Sequence, residues 1–321
     1  DLGLGFLVGK IASDWFDVHT MMLLVILTVI IGLAFGAIRQ PEILSGQLVK
    51  NIEEKYQKSG FKSDLAETLK SKLSKLMEDK QPFLESELSL TDLSELVVKE
   101  NADLGIVVDP DVDRLAFMCN DGEMFGEEYT LVACADYVLS KTPGNTVSNL
   151  SSSRALRDVT EKHNGTYQAS AVGEVNVVEL MKKNNAIIGG EGNGGIIYPA
   201  SHYGRDALVG VALFLTHLAE QKVTVRQLRD SYPSYFMSKN KIQLTPELDV
   251  DGILKAMEEK YANENVTTID GVKIDFAENW VHLRKSNTEP IIRIYTEAQS
   301  QQKADDLAKD IMDEIAAIAG L

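Results

Sequence analysis

The chain has 321 residues, of which 44% are hydrophobic and 25% charged, a composition typical of a globular protein. With 32 basic and 48 acidic side chains it carries a net charge of −16, so no nucleic-acid partner is expected, because surfaces that bind nucleic acids are basic. Its two cysteines, Cys119 and Cys134, are too few for a disulfide framework and are expected to be reduced, buried thiols.

The first long apolar run predicts a membrane-spanning helix. Residues 21–38 carry no charged side chain, and a run of this length can cross a bilayer. Trp15 and Phe16 precede it as an interfacial anchor would, and a signal peptide or a buried helix are the competing interpretations. Basic residues that follow, beginning with Arg39, favour a cytoplasmic location for the rest of the chain. The apolar residues 2–12 would fit the remnant of an earlier span.

Residues 39–96 are predicted to be helical. Apolar residues recur every three or four positions and form one stripe, made of Phe61, Leu65, Leu69, Leu73 and Leu76. The stretch 59–96 resembles the linker and the first helix of the helix-turn-helix motif in membrane-bound AraC-type regulators. The resemblance ends at Leu96, after which no recognition helix follows. An ordinary amphipathic helix is the alternative.

From residue 97 onwards, apolar runs typical of strands alternate with helical stripes, which predicts an α/β fold. A short buried strand is predicted at Leu104–Val108, and it leads into D-P-D-V-D-R at residues 109–114. Carboxylates at alternate positions of a turn supply oxygen ligands that suit Mg²⁺ or Ca²⁺, and here they are Asp109, Asp111 and Asp113. An EF-hand is excluded because Arg114 stands where that motif needs glycine. A solvated acidic turn is the alternative.

Two further polar loops follow predicted strands. In I-I-G-G-E-G-N-G-G, residues 187–195, glycines surround Glu191 and Asn193, whose carboxylate and amide suit sugar hydroxyls. In R-K-S-N-T-E-P-I-I-R, residues 284–293, arginines, hydroxyls and an amide form the kind of set that cradles phosphate. A plain glycine-rich turn and a polar hairpin are the alternatives.

The C-terminal part of the chain is predicted to be a small α+β module around the last of these loops. Partial alternation predicts strands at residues 272–276, 280–283 and 291–296. A final helix would place one apolar face on the sheet, made of Leu307, Ile311, Ile315 and Ile318.

Together and in this order, the three loops resemble those of the α-D-phosphohexomutase family. Its metal loop usually reads D-G-D-G-D-R, and G-E-G-N-G and R-K-S-N-T-E-P match its sugar-binding and phosphate-binding loops. The resemblance covers residues 97–321, and V-G-E-V-N-V and S-H-Y-G-R-D make it most similar to bacterial phosphoglucosamine mutases. Phosphomannomutase/phosphoglucomutase is close behind. We call residues 109–114 the metal loop, 190–194 the sugar loop and 284–293 the phosphate loop.

The resemblance implies an isomerase that moves phosphate between O1 and O6 of a hexose, most similar to those acting on glucosamine phosphate. Its partner would be a glucosamine, glucose or mannose phosphate. The family has four domains, each giving one loop to a central cleft. By this resemblance residues 97–122 are a remnant of the second domain, 123–238 are the mixed α/β third domain, and 239–321 are the α+β fourth domain. They would follow an N-terminal segment, 1–38, and a helical linker, 39–96.

The resemblance also implies the roles of individual residues. Mg²⁺ would be held by Asp109, Asp111 and Asp113, and Arg114 would be the catalytic residue that faces the phosphoserine. The 3- and 4-hydroxyls of the sugar would bind Glu191 and Asn193. The phosphate that is not transferred would be held by Arg284, Ser286, Asn287, Thr288 and Arg293.

The sequence departs from the family at the nucleophile. No stretch matches its T-A-S-H-N-P-type phosphoserine loop, and Ser201 in A-S-H-Y-G lies in the third domain without the N-P that should follow. These 321 residues are therefore expected to be inactive alone. The alternatives are a membrane-anchored protein that binds sugar phosphates or regulates in response to them, and a fusion of two reading frames near residues 96 and 97. In each case residues 97–321 are expected in the cytoplasm.

Overall fold

The computed structural model describes five stretches of the chain: residues 5–9, 90–109, 111–243, 249–286 and 291–319. The membrane span predicted at residues 21–38 and nearly all of the regulator-like stretch 59–96 lie outside these residues. Of the helices that are described, none is both long enough and apolar enough to cross a bilayer.

A small antiparallel sheet comes first, in the order β1-β2-β3. Its strands are β1 (Gly5–Gly9), β2 (Leu104–Val108) and β3 (Leu115–Cys119). The prediction of β2 is confirmed. The prediction that residues 2–12 belong to a membrane span is wrong for residues 5–9, which pair with β2 from Gly5 opposite Val108 to Gly9 opposite Leu104. A short apolar run bounded by glycines fits a strand as well as part of a helix.

Helix α1 (Leu90–Lys99) crosses the junction predicted at residues 96 and 97. Leu93 and Val97 lie one turn apart on this helix, and both are buried. They pack with Val107 of β2 and Met118 of β3 in one apolar cluster. Residues on both sides of the predicted junction therefore contribute to the same local core.

The middle of the chain alternates strands and helices around a second sheet. Its strands are β4 (Asn145–Asn149), β5 (Tyr167–Ser170), β6 (Ala186–Glu191) and β7 (Gly195–Ile197). Its helices are α2 (Glu127–Lys141), α3 (Ala155–Lys162), α4 (Glu174–Asn184), α5 (Ala207–Gln221) and α6 (Val225–Asp230). The order is β5-β4-β6-β7; the first three strands are parallel and β7 is antiparallel to β6. A mixed α/β fold is thus confirmed.

The first two sheets share one hydrophobic core. Phe117 of β3 stacks on Phe214 of α5 with ring centroids 3.8 Å apart, and Phe125 meets Phe214 edge-on at 5.0 Å. Cys119 and Cys134 are buried in the same core as free thiols, as expected, and burial raises the pKa of Cys119 to about 12. We call residues 90–235 the first module.

The C-terminal module is a five-stranded antiparallel sheet in the order β8-β12-β11-β10-β9. Its strands are β8 (Phe236–Gln243), β9 (Asn265–Thr267), β10 (Val272–Asp275), β11 (Trp280–Lys285) and β12 (Ile291–Ala298). Its helices, α7 (Val250–Lys260) and α8 (Gln301–Ala319), share a buried cluster with one face of the sheet. The predicted apolar face of α8 is confirmed at Ile311 and Ile315 and wrong at Ile318, which is 41% exposed near the end of the helix.

Candidate functional site

The metal loop follows β2 directly and is closed by its first carboxylate. Asp109 Oδ1 accepts the backbone N–H groups of Asp113 and Arg114, each at 3.1 Å. The Arg114 guanidinium lies 3.5 Å from Asp109 and 3.8 Å from Asp113, and its side chain is 55% exposed. The loop therefore holds two carboxylates close together and leaves Arg114 facing solvent.

Val112 stands at the position of the second glycine in the pattern D-G-D-G-D-R. Its φ of +58° lies in the left-handed region, which a β-branched residue rarely adopts. Its backbone N–H donates to the Asp109 carbonyl at 3.0 Å, and its own carbonyl accepts the N–H of Ala207 at 3.1 Å. These two bonds hold the loop in this conformation against the first residue of α5.

Asp113 carries features that suit a hard cation. Its Oδ1 is buried and has no hydrogen-bond partner among the described residues, and its Oδ2 pairs with the guanidinium of Arg205. Burial, followed by the contact with Asp109, raises the pKa of Asp113. Mg²⁺ often binds through one or two carboxylates and completes its shell with water, so the pair of Asp109 and Asp113 fits such an ion.

Asp111 is not brought to this pair. Its side chain is exposed. Within the part of the chain that the structure describes, no three His, Cys, Asp or Glu side chains converge as they would around a metal. The role of Asp111 as a third ligand stays a prediction.

The sugar loop joins β6 to β7, and Glu191 is the last residue of β6. Its side chain is buried, and its Oε1 accepts Asn149 Nδ2 at 2.9 Å and the Gly173 N–H at 3.2 Å. Its Oε2 accepts Arg205 Nη1 at 3.0 Å. A carboxylate has about four acceptor positions, so one is left for a ligand hydroxyl.

The rest of the sugar loop packs against β3. Asn193 Oδ1 accepts the Gly195 N–H at 3.2 Å, and its amide nitrogen donates to no described residue. Gly194 has a φ of +81°, and a Cβ atom there would collide with the Leu115 carbonyl oxygen. The Leu115 N–H donates to the Gly194 carbonyl at 3.1 Å. Since Leu115 follows the metal loop directly, the metal and sugar loops lie side by side.

The carboxyl group of a partly buried glutamate lies against the sugar loop. Glu128 of α2 lies against Gly192, where a Cβ atom would collide with its carboxyl oxygens. Its Oε2 accepts the Ser153 N–H at 2.8 Å, and burial raises its pKa to about 8. At neutral pH this group adds little negative charge beside Glu191.

The phosphate loop begins and ends on two arginines that stand opposite each other. Arg284 of β11 pairs with Arg293 of β12, and Arg293 pairs in turn with Lys241 of β8. Directly opposite residues of neighbouring strands share a face, so three cations form one row across the sheet. Ser286 is held where β11 ends, its N–H donating to the Ile291 carbonyl at 3.0 Å. The predicted ligands Asn287 and Thr288 lie outside the described residues.

The cationic row lies on the face that α7 and α8 leave uncovered. Ile292 and Ile294, which flank Arg293 on β12, are buried in the cluster shared with the helices, and side chains alternate along a strand. Like charges directly opposite each other destabilise a sheet unless an anion or a carboxylate accompanies them. Lys241 was missed from the sequence, because only the pairing of β8 with β12 brings it to this row.

One carboxylate connects the phosphate loop with the sugar loop. Asp270 lies 2.9 Å from Arg284 Nε, and its Oδ2 accepts the Val172 N–H, also at 2.9 Å. The next N–H along the chain, that of Gly173, donates to Glu191. Both Nη atoms of Arg284 are without a hydrogen bond to any other residue that the structure describes. Neither Asp270 nor Arg205 was singled out from the sequence, since both act through contacts distant in the chain.

A histidine lies between the two modules next to this connection. Ser151 Oγ is 2.8 Å from His282 Nδ1, and His282 Nε2 is 2.7 Å from the Asp270 carbonyl. Burial lowers the pKa of His282 to about 4, so the ring is neutral. Its Nε2–H then donates to the carbonyl, and Nδ1 accepts the hydroxyl of Ser151.

An arginine of the first module is clamped by the C-terminal module. Arg154 donates to the carbonyls of Asn279 at 2.9 Å and Ala277 at 3.2 Å, and its side chain is 5% exposed. Its backbone N–H donates to Glu297 at 3.1 Å, and Trp280 Nε1 donates to the same carboxylate at 2.7 Å. These contacts fix the C-terminal sheet against the first module.

Comparison with known proteins gives two consecutive matches to family models. Residues 126–235 match the model of phosphoglucomutase/phosphomannomutase alpha/beta/alpha domain III. Residues 241–314 match that of the phosphoglucomutase/phosphomannomutase C-terminal domain.

A curated relative agrees with these models. The chain is 35% identical over 228 residues to the phosphoglucosamine/phosphogalactosamine mutase of Sulfurisphaera tokodaii, and the alignment covers 70% of this chain and 50% of that protein. The chain thus spans about half the length of the curated relatives that it matches.

Two solved structures share the fold. One is a phosphoglucomutase/phosphomannomutase family protein from Burkholderia thailandensis, with a TM-score of 0.62 and 24% identity over 71% of this chain and 49% of that one. The other is the Aspergillus fumigatus N-acetylphosphoglucosamine mutase in complex with GlcNAc-6P and magnesium, with a TM-score of 0.50 and 14% identity over 75% of this chain and 52% of that one. Residues 126–235 and 241–314 of this chain are therefore similar to two consecutive domains of phosphohexomutases.

Proposed function

We propose that this chain binds a hexose phosphate between its sugar loop and its phosphate loop, as part of an enzyme that moves phosphate between O1 and O6. The observation that carries the proposal is the connection through Asp270, which bonds to Arg284 on one side and to the backbone beside Glu191 on the other. A ligand with a phosphate at one end and hydroxyls at the other fits groups arranged in this way.

In this proposal the cations of the phosphate loop hold the phosphate that does not react. Arg284 presents both Nη atoms, and Arg293 and Lys241 extend the positive row across the sheet. Ser286, Asn287 and Thr288 would add hydroxyl and amide groups. Glu191 would use its remaining acceptor position, and Asn193 its amide nitrogen, for the sugar hydroxyls. Phosphoryl transfer depends mainly on such positioning and charge neutralisation.

The metal loop would complete the reacting end of the site. Asp109 and Asp113 would hold Mg²⁺, with Asp111 as a third ligand, and the ion would neutralise charge on the phosphoryl group when bound. Support comes from the buried, unpartnered Oδ1 of Asp113 and from the magnesium in the related Aspergillus fumigatus complex. Arg114, exposed beside this pair, would face the phosphoserine of the first domain.

The preferred ligand in this proposal is a glucosamine phosphate. It is supported by the similarity to the phosphoglucosamine/phosphogalactosamine mutase of Sulfurisphaera tokodaii. We place the boundary between the third and fourth domains between residues 235 and 241, where the two family models meet and β8 begins at Phe236. The membrane span at residues 21–38, the regulator-like stretch and the cytoplasmic location of residues 97–321 stay predictions.

Calorimetric titration of the 321-residue chain with glucosamine 6-phosphate tests the proposal. Arg284→Ala should weaken binding about tenfold or more, because it removes charge-assisted hydrogen bonds to the phosphate. Arg226→Ala is the matched control, since Arg226 pairs with Asp230 on α6 and contacts none of the three loops. The proposal fails if the parent chain binds no glucosamine 6-phosphate, or if both variants bind it as the parent does.

A polypeptide of these 321 residues should not interconvert glucosamine 1- and 6-phosphates. No stretch of it matches the phosphoserine loop, and positioning groups do not store a phosphoryl group between half-reactions. Ser201 is exposed in the segment between β7 and α5, and Ser201→Ala should change nothing. A coupled assay primed with the sugar bisphosphate and Mg²⁺ measures this. Turnover in the parent that disappears in Ser201→Ala would identify Ser201 as the nucleophile.

A further inference from the structure

Arg205 joins the metal loop to the sugar loop through a single guanidinium group. Its Nη1 donates to Glu191 at 3.0 Å, and its Nη2 donates to Asp113. Its Nε lies 3.3 Å from a carboxylate oxygen of Glu174, and its own backbone N–H donates to the other oxygen at 3.0 Å. One side chain, 15% exposed, thus contacts three carboxylates from three different segments.

The backbone of Arg205 is held by contacts of its own, independent of those of the side chain. It forms an isolated β-bridge with Ile197 of β7, and the next residue, Asp206, donates its N–H to the Ile196 carbonyl at 2.8 Å. The side chain of Asp206 caps α5 by accepting the Val209 N–H at 3.0 Å. The guanidinium therefore starts from a strand edge and a helix end, which are rigid supports.

A glycine makes room for the stem of this arginine. A Cβ atom on Gly195 would lie 2.5 Å from Arg205 Cδ, closer than van der Waals contact permits. The arginine stem therefore lies directly on the first residue of β7. From this position the planar guanidinium reaches Glu191 and Asp113 in one orientation, which the single ammonium of a lysine would not reproduce.

We propose that Arg205 is a positioning residue of the hexose phosphate site. It fixes the Glu191 carboxylate and the Asp113 carboxylate in one arrangement, and so sets how much more tightly a hexose phosphate binds than inorganic phosphate. This inference rests on the proposed function for its ligand. Without the guanidinium, the charges of Glu191, Glu174 and Asp113 would repel one another, and Glu191 would turn away from the position that meets a sugar hydroxyl.

The test compares two ligands on three proteins. The dissociation constants of glucosamine 6-phosphate and inorganic phosphate are measured on the parent, Arg205→Lys and the control Arg226→Ala. Arg205→Lys should raise the dissociation constant of glucosamine 6-phosphate about tenfold. The constant of inorganic phosphate should stay within about twofold of its value in the parent, because inorganic phosphate needs only the phosphate loop. Arg226→Ala should change neither. An unchanged ratio of the two constants in Arg205→Lys would overturn the proposal, whether neither ligand loses affinity or both lose it equally.

A double variant separates positioning from general damage. If Arg205 acts through Glu191, adding Arg205→Lys to Glu191→Gln should cause no further loss of glucosamine 6-phosphate affinity. Additive losses would show that Arg205 does not act through Glu191. A general structural defect in Arg205→Lys would lower the affinity equally in the parent and in Glu191→Gln.

Hydrogen exchange tests the positioning without any ligand. Arg205→Lys should raise amide exchange severalfold in both segments 109–115 and 189–195, and Arg226→Ala in neither. If the parent binds neither ligand, the proposed function has failed, and exchange still decides whether Arg205 fixes the two loops. Unchanged exchange in both segments would overturn that role.

Discussion

His282 joins the two modules as a buried, neutral ring whose two nitrogens are both hydrogen-bonded. Burial holds its pKa at about 4, against about 6.5 in an unfolded chain. Between these values the unfolded chain binds a proton that the folded chain does not bind. The contribution of His282 to the free energy of unfolding is therefore fully present above pH 6.5. It falls by about 3 kcal/mol as the pH falls from 6.5 towards 4.

His282→Gln should remove this pH dependence, because glutamine keeps a donor and an acceptor and does not titrate. Urea unfolding of the parent and the variant from pH 4 to 7 measures the difference in their free energies of unfolding. That difference should shrink by about 3 kcal/mol as the pH falls. A difference that stays constant over this range would contradict a neutral, buried His282.

The individual ligands of the site were predictable to different degrees. Glu191 stands out because its type and its glycine neighbours are visible locally, and the structure gives it a defined set of partners. Lys241, Asp270 and Arg205 do not stand out, because each one matters only through a partner far along the chain. Local patterns carry no information on strand register, which is what puts Lys241 opposite Arg293.

At the scale of secondary structure, helix α1 spans two parts of the chain that the sequence analysis separated. One is the predicted linker, residues 39–96, and the other is the mutase-like part, residues 97–321. Leu93 lies before the predicted junction and Val97 after it, and both pack on Met118. The change in composition near residue 96 suggested two unrelated segments. The packing instead shows that residues 90–99 form one helix that packs on β2 and β3.

Alanine substitutions along α1 test this packing. Leu93→Ala should lower the free energy of unfolding by about 2–5 kcal/mol and Val97→Ala by about 1–3 kcal/mol, since both side chains are buried. Val98→Ala is the matched control, because Val98 is 56% exposed on the same helix and should change stability by less than about 0.5 kcal/mol. Equal, small effects at all three positions would show that α1 does not pack on the sheet.

The elements of the C-terminal module were largely predictable. Its three central strands were placed within about two residues of β10, β11 and β12, because apolar and polar residues partly alternate along them. Strand β1 was not predictable, because residues 5–9 are a strand only by pairing with β2, some 100 residues away. The five residues alone resemble part of a longer apolar run.

At the scale of the whole molecule, Arg154 and Glu297 connect the two modules. Arg154 donates to backbone carbonyls of the C-terminal module, and Glu297 is fully buried beside it. Removing one partner of a buried ion pair costs about 3–5 kcal/mol, because the other charge is left without compensation.

Arg154→Ala should therefore separate the unfolding of the two modules. Differential scanning calorimetry should show one main transition in the parent and a second, earlier one in the variant, from the C-terminal module. Arg157→Ala, on the helix that begins directly after Arg154, is the control, because its side chain is 37% exposed and pairs with its neighbour Asp158. A single, equally cooperative transition in Arg154→Ala would show that this clamp does not couple the modules.

The most direct test of the central claim is a crystal structure of the chain bound to glucosamine 6-phosphate. We predict the phosphate within hydrogen-bond distance of Arg284 and on the same face of the sheet as Arg293 and Lys241, with a sugar hydroxyl on Glu191. A phosphate bound away from the row of cations, or a sugar ring that does not reach Glu191, would contradict the claim that the two loops form one site.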